Sequence, residues 1–290
     1  MKRALAILLV AASASCSGES FDPPSLVDSL RVLAVRADLP FARPGERVHL
    51  DALAVDPLGG GRAVQFAWGT CVNPGSAEVP ACAAAVPSFA IGGPTFDLTV
   101  PPDALQGLPA SLPIGSVGVV FAACAGSLRA GRTDTAPISC VDDRGASSGR
   151  DGFMWGEKRV TVTTDLRNAN PRIAAITLDG VPWDPSSPPA VAACGASAVA
   201  DCAPNERHAI AVRADPGSAE SYLGLTEDLV AYFFVSQGRV DNDYVRAQDG
   251  SFTVTFAAIK VDPSRPILVW VVLRDDRGGV DWVTRSLSVH

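Results

Sequence analysis

The chain has 290 residues, of which 47% are hydrophobic and 19% charged, and this length suggests one or two domains. It carries 24 basic and 31 acidic residues, a formal net charge of −7 at pH 7. An acidic chain has no electrostatic attraction to phosphate backbones, so we expect no nucleic-acid partner.

The first fifteen residues have the layout of an export signal. Lys2 and Arg3 precede the apolar run 4–12, and small residues follow it. As a helix this run would span about 13 Å, too short for a bilayer core of about 30 Å. We therefore predict a cleaved signal peptide over residues 1–15 rather than a permanent membrane span.

The small residues lead directly into a cysteine, with the letters SASC at 13–16. This run resembles the lipobox of bacterial lipoproteins, although Ser13 stands where that family prefers Leu, Val or Ile. The resemblance implies cleavage before Cys16, a diacylglycerol on its thiol, and a lipidated cysteine and tether over residues 16–27. By the same resemblance, Ser17 in place of Asp implies export onward to the outer membrane.

Ordinary secretion is the alternative, with an A-x-A cleavage site at 12–14 and a free thiol at Cys16. A free thiol is reactive in an oxidising compartment, whereas a lipidated one is not. Each buried acyl CH₂ contributes about 0.8 kcal/mol, so several chains hold a protein firmly. We therefore predict membrane lipid as a partner, through an acyl anchor at Cys16.

The other six cysteines form three close pairs along the chain: Cys71 with Cys82, Cys124 with Cys140, and Cys194 with Cys202. An even number in an exported chain favours disulfides, each worth about 2–3 kcal/mol, although spacing alone does not fix the connectivity. Zinc is the alternative, but no C-x₂-C spacing occurs and the chain has only three histidines.

Short strands follow one another along the chain without a long amphipathic helix pattern. Apolar and polar residues alternate with period two at 96–100, 159–164 and 252–256. Solid apolar runs, which fit central strands of a sandwich core, occupy 117–123, 229–235 and 267–273. Turn residues separate these segments, and such spacing is typical of β-sandwiches.

The pattern occurs twice. Three segments of the first half parallel three of the second: 29–40 with 171–182, 46–57 with 206–217, and 64–70 with 230–236. We therefore predict an all-β chain of two tandem β-sandwich domains, over 28–164 and 172–290, which the resemblance given below implies to be immunoglobulin-like. The polar stretch 165–171 is expected to be a linker acting as a hinge.

With this pattern the chain resembles tandem immunoglobulin-like or fibronectin-type-III-like domains of surface lipoproteins from predatory and gliding deltaproteobacteria. The ending VLRDDRGGVDWVTRSLSV (272–289) is similar to the last hairpin of PKD-like modules. The resemblance implies a fold and a cell-envelope location but no reaction.

We expect no enzyme activity. The letters GASSG at 145–149 match G-x-S-x-G, which would make Ser147 a nucleophile. That motif acts on a strand-to-helix turn of an α/β fold, whereas here it lies in a Gly/Ser/Asp loop. The spacing of His49 and His208 does not suggest a catalytic triad with any serine.

Asp241 and Asp243, in the letters DND, offer hard oxygens that suit calcium. Turn formation is the alternative for these residues, and no EF-hand pattern occurs. We expect no other cofactor.

Trp155 and Trp183 fall in apparent loops, where exposed aromatic rings often anchor ligands. Covering the ends of the core is the alternative. The sequence thus predicts a non-catalytic structural or interaction module with an unknown protein or glycan partner. A carbohydrate-binding surface module that uses the loop tryptophans is the second hypothesis.

Overall fold

The computed structural model describes residues 22–290 apart from residue 58 and the stretches 74–78, 110–112, 134–135, 223 and 247–248. The predicted signal peptide and Cys16 lie outside the described residues. The described part is nearly all β-strand, with one short helix, α1 (Val79–Ala85), and two 3₁₀ turns, Val199–Asp201 and Pro204–Glu206. No helix within it is long and apolar enough to span a bilayer.

The strands divide into two sets along the chain. Those of the first half are β1 (Arg31–Ala37), β2 (Phe41–Ala42), β3 (Arg47–Val55), β4 (Gln65–Val72), β5 (Ala90–Gly92), β6 (Thr95–Thr99), β7 (Gly115–Cys124), β8 (Ser127–Thr133), β9 (Ala136–Val141) and β10 (Phe153–Val162). Those of the second half are β11 (Ile173–Leu178), β12 (Val181–Pro182), β13 (Ala190–Val191), β14 (Ala193–Cys194), β15 (Arg207–Ala214), β16 (Ser221–Tyr222), β17 (Leu225–Thr226), β18 (Val230–Val235), β19 (Arg239–Val240), β20 (Tyr244–Arg246), β21 (Ser251–Ile259), β22 (Ile267–Arg274) and β23 (Val280–Val289).

The first half is a two-sheet sandwich. One sheet has the order β1-β3-β6 and the other β2-β10-β7-β4-β5, while β8 and β9 form a separate hairpin. The inward faces meet in an apolar core, where the ring of Trp68 stacks on Phe66 at 5.2 Å and on Phe96 at 5.5 Å. Burial of these alternating residues drives the two sheets together.

The second half repeats this arrangement. Its main sheets have the orders β12-β11-β15-β21-β14 and β13-β23-β22-β18-β20. In both halves a two-residue strand also pairs in parallel with the last strand: β2 with β10, and β13 with β23. Strands β1, β3 and β6 share one sheet in the first half, as β11, β15 and β21 do in the second. They correspond to the first, second and fifth strands of immunoglobulin-like sandwiches, which also share a sheet. The predicted fold class is confirmed.

The two sandwiches pack side by side. The outer face of β1 and β3 lies on the outer face of β18, β22 and β23, and the buried residues of this contact form one cluster: Val27, Leu33, Ala34, Val55, Trp270, Val272 and Val280. This contact explains the solid apolar run 267–273. Val269 and Val271 enter the core of the second sandwich, whereas Trp270 and Val272 enter the contact between sandwiches.

The corresponding sheet face of the first sandwich has different covers. The disulfide Cys71–Cys82 closes the loop that carries α1, and it packs on Val120 of β7. The disulfide Cys124–Cys140 holds the β8–β9 hairpin over the same sheet, in a cluster with Leu128 and Ile138. The run 117–123 is therefore apolar on both faces, for the same physical reason as 267–273.

The third disulfide, Cys194–Cys202, ties an irregular segment to the second sandwich. It packs with Val199 against Ala257 and Ile259 of β21. The six described cysteines therefore form three local disulfides; the sequence favoured disulfides but left their connectivity open. The sequence analysis missed α1, a seven-residue helix that contains Cys82 of the first disulfide.

The last part of the predicted tether 16–27 is not free. The amide of Val27 donates to the Val235 carbonyl and the amide of Val235 to the Ser25 carbonyl, both at 2.8 Å. Ser25 and Val27 are fully buried. The tether prediction is wrong for these residues, because Val27 fills the apolar contact between the sandwiches.

The linker 165–171 is not a loose hinge either. The Asn168 side chain is buried, and its Nδ2 donates to Asp275 Oδ2 at 3.2 Å. Asn170 bridges the two sandwiches: its Nδ2 donates to the Ala37 carbonyl at 2.7 Å, and its Oδ1 accepts from the Val280 amide at 2.8 Å. The linker is polar because its side chains satisfy buried backbone groups of both sandwiches, so the hinge prediction is wrong.

Candidate functional site

A groove of about 1020 Å³ runs between the two sandwiches along the linker. We call it the inter-domain groove. β1 and β3 place outward-facing polar residues on one side, β23 contributes Asp281 on the other, and the linker forms the base. Its charged and titratable lining residues are Arg36, Asp38, His49, Asp51, Arg172, Asp215 and Asp281.

Arg36 organises the charges in the groove. Its Nη1 lies 3.2 Å from Asp281 Oδ1 and its Nη2 lies 3.4 Å from Asp51 Oδ2, so the guanidinium joins aspartates of both sandwiches. It also lies 4.4 Å from the centre of the Trp282 ring. Arg36 and Asp51 are each more than a third exposed, so solvent screens this network and each pair contributes less than about 1 kcal/mol.

The groove has polar recognition groups without an assembled nucleophile. His49 Nδ1 lies 2.7 Å from Asp97 Oδ1, and the Asp38 carboxylate accepts from the His49 amide at 2.8 Å. Among the described residues that line it there is no serine, threonine, cysteine or lysine. Four aspartates face two arginines, so the lining suits a polar partner that offers hydrogen-bond donors.

A second charged centre, the Arg277 cluster, lies in the turn between β22 and β23. It consists of Arg277, Glu220, Glu227, Phe41 and Tyr222. Arg277 Nη1 lies 2.8 Å from Glu227 Oε1 and 3.9 Å from Glu220 Oε2, and Nη2 donates to a linker carbonyl. The guanidinium carbon lies 4.7 Å from the Phe41 ring centre and 4.5 Å from that of Tyr222. Phe41 belongs to the first sandwich, so this cluster fastens the two together.

Burial affects the protonation of Glu227 in this cluster. The Glu227 side chain is 1% exposed. Desolvation raises the pKa of its carboxyl, against the opposing effects of the Glu220 amide and Arg277. The sequence analysis missed the role of Arg277, because the composition of a turn does not show what its side chains contact.

Trp183 is not an exposed loop residue. It is 3% exposed and belongs to the core cluster of the second sandwich, with its carbonyl accepting from Arg285 Nε at 2.8 Å. The prediction of an exposed aromatic at this position is wrong. The two prolines and the aspartate next to it in the sequence are typical of a loop, but the Trp183 ring fills the end of the core.

Trp155 lies within β10 rather than in a loop. Its ring contacts Phe89 and Phe153 edge-on, with centroids 5.7 and 5.9 Å away, and helps to cover the outer face of the first sandwich. The loop placement is wrong, and a ligand role for Trp155 stays a prediction. A stacked sugar needs an open ring face, which the buried Trp183 does not offer.

Asp241 and Asp243 shape a turn. Asp241 Oδ1 accepts from the Thr255 amide at 2.9 Å, and the Asp243 carbonyl accepts from the Phe233 amide at 3.0 Å. Within the described residues, the one cluster of three potential metal-ligating side chains is Cys194, Cys202 and Glu206. Those cysteines are bonded to each other and offer no thiolate. Calcium at Asp241 and Asp243 stays a prediction.

Ser147 lies in the hairpin turn after β9, where it forms an isolated bridge with Val141. No strand-to-helix turn occurs there, which agrees with the loop expected from the sequence.

No protein-family model matches this chain, and no curated protein matches it. Among solved structures, the D0-D1 domain of intimin is 13% identical, with 89% of this chain and 98% of that chain covered and a TM-score of 0.24. The adhesin InvE of Yersinia pseudotuberculosis is 12% identical, with 89% and 60% covered and a TM-score of 0.23. The N-terminal Ig1-2 module of the Drosophila receptor protein tyrosine phosphatase DLAR is 9% identical, with 90% and 99% covered and a TM-score of 0.25. Values this low carry no conclusion about function.

Proposed function

We propose that this chain is an exported bacterial lipoprotein that is held on the cell envelope by acyl groups on Cys16. One observation carries the proposal. The six described cysteines bond to one another, so Cys16, the seventh, has no cysteine of this chain left to bond. Three disulfides are typical of a protein that folds in an oxidising compartment, where an exposed free thiol would react. Acylation removes that thiol.

The role we propose is that of a non-catalytic structural or interaction module. Support comes from the way the two sandwiches are joined: an apolar contact, the Arg277 cluster, a bonded linker and the pairing of Ser25 and Val27 with Val235. These contacts make a stiff body, because each of them restrains bending between the two sandwiches or of the segments next to them. A stiff body on a short anchor holds its surface at a fixed distance from the membrane.

We propose the inter-domain groove as the surface that contacts a protein or glycan partner. It is open, polar and formed by both sandwiches, whereas the outer faces of β7 and β22 are covered within the chain itself. Its partner would be held by hydrogen bonds to the aspartates rather than by stacking on aromatic rings.

Metabolic labelling with an alkyne fatty acid tests the anchor. We expect wild type and a Ser20→Ala control to carry the label, and Cys16→Ser to lose it. The same cells, separated on a density gradient, should show the labelled protein with the outer membrane. Equal labelling of Cys16→Ser and wild type would refute lipidation at this residue, and recovery with the inner membrane would refute only the outer-membrane address.

A further inference from the structure

A small cavity beside the contact between the sandwiches holds two cationic side chains. It has a volume of about 220 Å³ and lies between β1, β10 and the facing ends of β22 and β23. Lys158 of β10 and Arg274 of β22 line it. Most of the remaining lining is apolar or glycine, from β1 (32–35), β7, β10 and β23. Among the described residues that line the cavity, Glu157 is the one acidic residue.

Both cations have only neutral partners. The Lys158 ammonium donates to the Gly278 carbonyl, and Arg274 Nη2 donates to the Leu33 carbonyl at 2.8 Å. Arg274 Nε is buried without a hydrogen-bond partner, and its guanidinium carbon lies 5.2 Å from the Tyr232 ring centre. In the part of the chain that the structure describes, neither side chain forms a salt bridge.

Two carboxylates, those of Asp275 and Glu157, lie near the cations, and neither forms a salt bridge with Lys158 or Arg274. Asp275 Oδ1 accepts from the amides of Arg277 and Gly279, and its Oδ2 accepts from the Asn168 side chain. Glu157 Oε1 accepts from Arg159 Nε at 2.7 Å, whereas its Oε2 is buried without a hydrogen-bond partner. The two cations therefore repel each other in a dehydrated site. Burial, and then the charge of Arg274, lower the pKa of Lys158 to about 8.

We propose that this cavity binds an oxyanion, a carboxylate or a phosphate group, between the Lys158 ammonium and the Arg274 guanidinium. The cavity exceeds the volume of a small oxyanion. Lys158 has two N–H donors left after its bond to Gly278, and Arg274 has its Nε–H. An anion there would form charge-assisted hydrogen bonds and would offset the repulsion between the cations. This site goes beyond the proposed function and does not depend on lipidation.

The anion would also stabilise the contact between sandwiches. Lys158 belongs to the first sandwich, whereas Arg274 and Gly278 belong to the second. A ligand bound to both cations joins the two bodies, and a ligand that binds only the folded state raises the midpoint of thermal unfolding.

Thermal unfolding of the full-length protein at pH 7 tests the site, with sodium formate and sodium phosphate as probes and sodium chloride at equal ionic strength as reference. The variant is Lys158→Met, and Lys260→Met is the control because Lys260 lies on the surface, outside this cavity. We expect formate, phosphate or both to raise Tm in wild type and Lys260→Met but not in Lys158→Met. The probe that acts identifies the class of anion. An equal response in Lys158→Met, or no response in wild type, would overturn the proposal.

Lysine NMR provides a second measurement that does not depend on stability. The chain has only three lysines, Lys2, Lys158 and Lys260, so ¹³C-labelled lysine gives few signals. We expect the probe anion to raise the pKa read from the Lys158 Cε shift and to leave that of Lys260 unchanged. A Lys158 titration that is the same with and without the anion would refute binding at this amine.

Discussion

Replacing Arg277 by methionine tests whether the Arg277 cluster fastens the two sandwiches. Arg277→Met removes the cation and keeps the length of the side chain. Glu227, at 1% side-chain exposure, would then keep only the Glu220 amide, which donates to its Oε2 at 2.9 Å. Breaking a buried ion pair by removing one partner costs about 3–5 kcal/mol. Two ring contacts, each worth about 0.5–2 kcal/mol, are lost as well.

The loss should depend on pH. The folded-state pKa of Glu227 is raised, so its contribution to stability is full below the unfolded pKa and is lost as pH rises through the folded value. Without Arg277 that pKa rises further, because an opposing cation is gone. We therefore expect Arg277→Met to lose about 3 kcal/mol or more near neutral pH, by the cost of a broken buried pair, and less in mild acid, where Glu227 is protonated.

Urea unfolding followed by tryptophan fluorescence measures this loss. Arg246→Met is the matched control, because its ion pair with Asp228 is about two-thirds exposed on both sides and is worth less than about 1 kcal/mol. Equal losses in the two variants, or a loss in Arg277→Met that does not change with pH, would refute a buried, pH-sensitive pair.

Three further changes test other parts of the account. Gly118→Ala should destabilise by about 1–3 kcal/mol in urea, because a Cβ there would lie 2.8 and 2.9 Å from the sulfurs of the Cys71–Cys82 disulfide; a neutral effect would contradict that packing. The free energy of unfolding of wild type should rise by about 3 kcal/mol between pH 8 and the unfolded lysine pKa of 10.5, because the lowered pKa of Lys158 favours folding as this amine loses its proton. Lys158→Met should lack this rise, and a rise that persists in the variant would mean that another group causes it. Val27→Asp should destabilise by about 3 kcal/mol or more by placing an unpaired charge in the contact between sandwiches, and fast exchange of the Val235 amide should accompany it; unchanged stability would mean that residues 25–27 are not docked.

The strands, their duplication and the disulfides were accessible from the sequence because their signals are local. Alternation at 252–256 reports one buried face, and close cysteine spacing favours short disulfide loops. The apolar runs at 117–123 and 267–273 predicted central strands correctly. They did not show that one outer face is covered by disulfide-tied segments and the other by a neighbouring sandwich, because both covers impose the same composition.

The linker, the tether and Trp183 could not be predicted for a different reason. Asn168 and Asn170 are polar because they bond to backbone and side-chain groups of the sandwiches, and a sequence does not distinguish such residues from solvated ones. The Arg277 cluster and the cations of the small cavity depend on contacts between distant segments. Neither has a signature in spacing along the chain.

The most direct test of the central claim is the intact mass of the protein purified from membranes, measured before and after reduction in denaturant. We predict a chain that begins at Cys16 and carries acyl groups, and that gains six hydrogen atoms on reduction, two for each disulfide. A soluble chain with an unmodified amino terminus, or a mass that does not change on reduction, would contradict the account.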